Sequence, residues 1–386
     1  MARPPFDPPG TGLLDAARGP LHPVAGRTLE AGLAAAWADP GGLHPPGRRA
    51  RALLDTAREV LADALGVRPA ELSLHPSAQG ALEVGLAGLR HARRRTGPTV
   101  VAGAAERSVL LLAPGVQDPV PVDRTGRVDT TAYAAALAGD QVAAAVLQTA
   151  NGEVGTRQPV AHVAALAAAR DVPLLLDATA SLGRDLHGIP DGAGSVLVAD
   201  AASFGGPPLG LLAVRTGTRW GLPRPRREAE QGREHAAPWV PLALAAAEAW
   251  RQTAVDAAAE ERTARALVDR VRRAAAAVPD VEVVGDADDR LPHVVTFSVL
   301  YADGEVLLEE LARRGLFVAS GSACTSSALR PSHVLAAMGV LTHGNVRVTL
   351  PLGSVSPTRD DDVDRLCREL PDAVAAVRRR LGTDDL

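Results

Sequence analysis

Apolar residues along this chain fall into two rhythms. Between Arg48 and Leu65, the positions Leu53, Leu54, Ala57, Val60, Leu61 and Leu65 recur at helical spacing, and Gly66 follows as a stop. Beyond it come short unbroken apolar runs: Thr99–Ala102, Val142–Leu147, Val172–Leu176, Ser195–Ala199 and Leu211–Val214. Helical stretches such as Val160–Arg170 separate them. Runs without polar alternation suit strands buried on both faces of a parallel sheet, and the alternation with helices predicts an α/β layer architecture.

An alanine-rich helix is predicted from Pro241 to about Ala277, and the rhythm then changes. Val281–Val284, Val294–Val299, Leu316–Ala319 and Asn345–Thr349 read as strands, with a helix over Gly304–Arg313. A final helix is expected with Ser356 as N-cap, Pro357 at the first helical position and Asp360–Asp362 in the first turn. The change divides the chain into a large α/β domain (16–249) and a smaller α+β domain (250–386, taking in 1–15).

Composition alters this picture in one respect. Of 386 residues, 46% are hydrophobic and 22% charged, as in a folded globular protein. All 41 basic side chains are arginine, because the chain contains no lysine. The skew toward alanine, glycine, proline and arginine reads as a GC-rich coding bias, but its consequence is chemical: no ε-amino group is available. A net charge of −4 gives no basic field for nucleic acid or a membrane surface, and the local runs Arg48–Arg49 and Arg224–Arg227 read as solvated faces. Cys324 and Cys367 are too far apart for a zinc-type pair. Two cysteines in so long a chain fit a reducing compartment. The proline-rich start, Met1 to Gly10, has no apolar signal-type core, and no run of about 18 apolar residues occurs. A cytoplasmic protein is expected.

The strongest chemical signal is Ser320-Gly321-Ser322-Ala323-Cys324-Thr325-Ser326-Ser327, closed by Arg330-Pro331. Small polar neighbours suit an exposed, partly ionised thiol, as a sulfur nucleophile must be. A lone cysteine is also commonly an inert packing residue, and the residues alone leave both readings open.

The run from Phe317 to Leu335 resembles the persulfide-forming loop of group I cysteine desulfurases, in the class V aminotransferase family of fold-type I pyridoxal-phosphate (PLP) enzymes. Asn345-Val346-Arg347-Val348-Thr349-Leu350 resembles the family strand whose arginine holds the substrate carboxylate. Asn151-Gly152-Glu153-Val154-Gly155 resembles the family's Asn-Asn-Glu-Ile-Gly, which implies that Asn151 approaches cofactor and substrate. Leu176-Asp177-Ala178-Thr179-Ala180-Ser181 resembles Val-Asp-Ala-Thr-Gln-Ser, which implies that Asp177 pairs with the pyridinium nitrogen. The resemblance implies a mostly parallel, seven-stranded-type sheet in the large domain, Cys324 as persulfide nucleophile, PLP as cofactor, L-cysteine or a persulfide as sulfur donor, a sulfur-acceptor protein, and a dimer.

Other positions depart from the family. The Schiff-base lysine of its Ser-x-His-Lys falls at Ala202 and the histidine at Ala201, in Ala199-Asp200-Ala201-Ala202. The glutamine that contacts the cofactor's phenolic oxygen is Ala180. Its phosphate-binding Gly-Ala-Thr is Ser77-Ala78-Gln79, and its cofactor-stacking histidine falls at Arg107. A phosphate-contacting Arg-Ser-Gly-Thr turn from the neighbouring subunit is Glu234-His235-Ala236-Ala237. Three readings follow. The chain handles sulfur through Cys324 as a relay, or as partner subunit in a homodimer or in a heterodimer with a lysine-bearing relative. It works with non-covalent PLP. Or its altered pocket, with Arg107 and Gln79, takes a different anionic ligand.

Overall fold

A computed structural model of the protein describes residues 12–223, 228–321 and 331–382. Cys324 with its loop beyond Gly321, and the run Arg224–Arg227, lie outside the described residues. The described chain opens with α1 (Pro23–Ala35) and α2 (Pro45–Ala64). Their first turns start on proline, and the preceding histidines cap them: His22 and His44 accept the Val24 and Gly47 N–H at 3.2 and 3.1 Å. Next come β1 (Leu72–His75), α3 (Ala78–Ala92), β2 (Thr99–Ala102), α4 (Ser108–Leu111), α5 (Thr130–Leu137), β3 (Val142–Gln148), α6 (Val160–Ala168), β4 (Leu174–Asp177), β5 (Val196–Asp200) and β6 (Gly210–Val214).

These strands form one sheet in the order β1-β6-β5-β4-β3-β2, six strands among the described residues where a seven-stranded-type sheet was expected. β2 to β5 are parallel, as the unbroken apolar runs required. β6 runs antiparallel to both β5 and β1. The cause is the short return from Ala201 to Leu209: parallel neighbours need a crossover of roughly a dozen residues or more, so the chain doubles back. Gly205, at φ +79°, makes the left-handed step in this return.

α7 (Val240–Ala276) then runs unbroken across the predicted domain boundary. Its first part, through Ala249, packs into the large core with α1 and the sheet. Its second part, from Ala264 to Ala275, packs into a separate core with β7 (Val281–Val284), β8 (Val294–Val299), α8 (Gly304–Arg313), β9 (Asn345–Thr349) and α10 (Arg359–Leu381). The short α9 (His333–Met338) lies between α8 and β9 in the chain. β7, β8 and β9 form an antiparallel sheet in sequence order. Leu14 belongs to this second core, and its backbone bonds to Phe317 and Thr349.

Two predicted elements change. The strand expected at Leu316–Ala319 reduces to single bridges, Leu13 to Phe317 and Ala319 to Arg347 on β9. The final helix starts at Arg359, not at Pro357; Ser356 N–H and the Arg359 N–H bond within the preceding turn instead. Among the described residues no helix is long and apolar enough to cross a membrane.

Candidate functional site

Three parallel strands end side by side, and their last residues build the site. Gln148 closes β3, Asp177 closes β4 and Asp200 closes β5, with Gln148 in register with Asp177. The carboxyl ends of parallel strands are where open α/β sheets bind ligands. Asp177 is buried, and its Oδ1 accepts the Thr179 N–H at 2.9 Å. Its Oδ2 lies 3.4 Å from Nε of Arg107, whose side chain is 46% exposed while that of Asp177 is 2% exposed. The residue read as the pyridinium partner and the residue at the stacking-histidine position thus pair with each other.

Beside them is a carboxylate that sequence reading did not single out. Glu106 is 1% exposed, and its Oε1 accepts the Gln148 N–H at 3.0 Å while Oε2 has no hydrogen-bond partner. Burial raises its carboxyl to about 8; the Gln148 hydrogen bond opposes this, nearby Asp177 adds to it, and Arg107 lowers it. Asp200, also missed, has its carboxyl raised by burial and held down by the Ala202 N–H, then by Arg107 and Arg18. A strand-end aspartate beside Asp177 was the available signal for Asp200. For Glu106 it was only adjacency to Arg107.

Ala202 sits in a 3-10 turn over Ala201–Phe204, where the Asp200 carboxylate accepts its N–H at 3.0 Å. Its methyl is buried, and Ser203 Oγ ties the turn down by donating to the Leu182 and Asp200 carbonyls, both at 2.7 Å. Gly210 brings the start of β6 against the N-terminus of α3: a Cβ there would lie 2.3 Å from the Ser77 carbonyl oxygen. Ser77 caps that helix by accepting the Gly80 N–H at 3.1 Å. Gln79 is exposed and turns along α3 to Glu83, at 3.3 Å.

Asn151 is buried and occupied by the backbone. Its Oδ1 accepts the Glu153 and Val154 N–H at 2.8 and 2.9 Å, and its Nδ2 donates to the Ala105 carbonyl at 3.1 Å. Arg347, buried on β9, lies 3.6 Å from Asp15, and its backbone exchanges two hydrogen bonds with Ala319. Near Arg347 is Glu153, whose carboxyl is raised by burial and lowered by Ser332, Arg347 and His333. Gly321 N–H donates to Asn345 Oδ1 at 2.7 Å, and His333 Nε2 bonds the Glu106 carbonyl at 2.8 Å, so both flanks of the Cys324 segment are fixed near these residues.

The IscS-like cysteine desulfurase of Mycobacterium tuberculosis is 33% identical over 390 residues, covering 94% of this chain and 96% of that protein. The chain belongs to the cysteine desulfurases of the class V aminotransferase family. The family profile, Aminotransferase class-V, matches residues 212–366. Cysteine desulfurase IscS 1 of Archaeoglobus fulgidus is 30% identical, covering 92% of this chain and 95% of that one. Cysteine desulfurase NifS of Azotobacter vinelandii is 34% identical over 67% of this chain, which spans 64% of that relative. A solved NifS-like protein superposes with a TM-score of 0.84 at 20% identity, covering 94% of this chain and 99% of that one, which establishes the shared fold.

The family is PLP-dependent, and the residues here do not fit a covalently held PLP. The chain contains no lysine, so it offers no ε-amine to hold the cofactor's aldehyde. Asp177 already faces a guanidinium, and the side chain at Gln79 points to Glu83. What the cluster does chemically is hold one cation among buried carboxyl groups.

Proposed function

We propose that this chain handles sulfur through a Cys324 persulfide, as a relay or partner subunit, without Schiff-base catalysis. The observation that carries the reading is the Arg107–Asp177 ion pair beside Ala202: the position of the amine is a methyl, and the aspartate has taken a cation from its own chain. Against these losses, Cys324 and Arg347 persist, and the flanks of the cysteine segment are anchored by Asn345 and the Glu106 carbonyl. The transfer balances without an external oxidant. The Cys324 thiolate attacks the outer sulfur of a donor persulfide, the donor's S–S bond breaks, a new S–S bond forms at Cys324, and the donor leaves as thiolate. A second attack, by an acceptor thiolate on the outer sulfur, returns Cys324. The donor is a low-molecular-weight persulfide or a lysine-bearing relative, and the chain pairs with itself or with that relative.

Mass spectrometry of the purified protein tests this. Cys324 is expected to gain one sulfur atom from a persulfide donor, and none from L-cysteine with PLP and reductant. Sulfide release from L-cysteine that disappears in Cys324→Ala would overturn it, since it would show desulfuration without a lysine from this chain.

A further inference from the structure

Both ends of the segment that carries Cys324 meet one carboxyl group. At the first end, a Cβ on Gly321 would overlap Oε1 of Glu153 and lie 2.6 Å from its Cδ, and the three nearest heavy atoms all belong to that side chain. At the second end, the Ser332 hydroxyl hydrogen-bonds the same carboxyl, and His333 favours its ionised form. The Ser332 oxygen also accepts the Leu335 N–H at 3.2 Å, which leaves its proton for the carboxylate. Glu153 itself is anchored through its backbone: its N–H donates to Asn151 Oδ1 at 2.8 Å, and its carbonyl accepts the Thr296 hydroxyl at 2.6 Å. Its Oε1 is buried and has no hydrogen-bond partner among the described residues. A bare carboxylate oxygen in such a place costs stability and calls for a reason.

We propose that Glu153 is a positioning residue for the Cys324 segment: its carboxyl clasps Gly321 and Ser332 together and so fixes where the segment leaves and rejoins the fold. The hold is steric at Gly321 and polar at Ser332. The charged groups facing the carboxyl come from two other elements, His333 of α9 and Arg347 of β9, and both favour its ionised form. The clasp is therefore tightest when Glu153 is ionised, since a carboxylate is the stronger acceptor for the Ser332 hydroxyl. Burial acts against that form and raises the carboxyl above its ordinary value, so protonation loosens the clasp at a higher pH than a free glutamate would. The inference uses the sulfur-handling reading only to choose the reporter. Alkylation of the Cys324 thiol reads its placement, not sulfur transfer, so either idea can fail without the other.

The test is the rate at which iodoacetamide alkylates Cys324 in the full chain, read by mass spectrometry, with the half-buried Cys367 as internal reference. Glu153→Ala and Gly321→Ala each break the clasp, the second because its methyl must displace the carboxyl. Each is expected to speed alkylation of Cys324 about threefold or more, and the double variant no more than either alone, because residues in contact do not act additively. Glu153→Gln keeps the size of the side chain and serves should Glu153→Ala fold poorly. It also supplies the readout that a merely structural role would not move. With the rate corrected for the thiolate fraction, the native chain should speed up as falling pH protonates Glu153, toward the rate of Glu153→Gln, whose own corrected rate shows no such rise. His333 is common to both proteins and drops out of the difference. Unchanged Cys324 rates in the single variants, effects that multiply in the double variant, or parallel pH profiles for the native chain and Glu153→Gln overturn the proposal.

Discussion

Glu106→Gln isolates the buried carboxyl at the end of β3. In the native chain burial raises this group from 4.5 to about 8. The folded state therefore holds the proton more tightly than the unfolded state. Its contribution to stability is fully present below the unfolded value and is lost as pH rises through about 8. From 4.5 to about 8, at ~1.4 kcal/mol per pH unit, the loss approaches about 5 kcal/mol. Glutamine keeps the oxygen that accepts the Gln148 N–H and does not titrate. Its amide nitrogen replaces an oxygen with no partner, at a pH-independent cost of about 1–3 kcal/mol. The variant should thus be the less stable protein at mildly acidic pH and the more stable one at mildly alkaline pH. Urea unfolding of both proteins at several pH values reads this directly, because Glu153 and Asp200 titrate in both and cancel in the difference. A gap in unfolding free energy that stays constant across the range would refute the reasoning.

Arg58 and Glu230 form a buried two-pronged pair, both contacts 2.6 Å, and Glu230 also accepts the Leu74 N–H at 2.7 Å. Arg58→Ala should cost about 3–5 kcal/mol by urea unfolding, and Arg58→Met/Glu230→Met clearly less, because the single change strands a buried charge. Gly210→Ala places a Cβ 2.3 Å from the Ser77 carbonyl oxygen and should lower stability by about 1–3 kcal/mol, read as a fall in melting temperature. Ala202→Lys alone should attach no PLP after borohydride reduction, because Arg107 still holds Asp177; with Arg107→His added, mass spectrometry should detect attachment. Equal attachment in both would show that Arg107 does not guard Asp177.

Short strands rich in valine were readable from sequence: β2, β7, β8 and β9 fall on their predicted bounds. β1 was not, since Leu-Ser-Leu-His looks like an exposed alternation. In the fold all four residues are buried, because the Ser73 hydroxyl bonds the His75 ring at 3.1 Å and donates to the Leu212 carbonyl at 3.0 Å. Polar burial of that kind depends on partners far along the chain. The site divides in the same way. Asp177, Ala202 and Arg107 were picked out from local motifs, but the pairing of Arg107 with Asp177 spans 70 positions, and no motif encodes it. Asn151 was legible as a position, though its amide serves the turn that follows it. Glu106 was in plain view in sequence, but its burial, which makes it chemically unusual, is a property of the assembled sheet.

The 37-residue helix α7 works as a beam on two piers. At 1.5 Å per residue it is about 55 Å long, with one end set in each core. Its last buried residue on the first pier is Thr253, whose hydroxyl bonds the Phe204 carbonyl at 2.8 Å, at the edge of the Ala202 turn. The next is Ala264, on the second pier, and no residue from 254 to 263 is buried. Two acidic side chains tie that span instead: Glu260 pairs with Arg359 of α10, and Glu261 accepts the Leu186 N–H at 2.9 Å. A tilt of the second core, to which β9 and Arg347 belong, therefore reaches the turn at Ala202 along the helix, while these two acidic ties limit how far the span between the piers can bend.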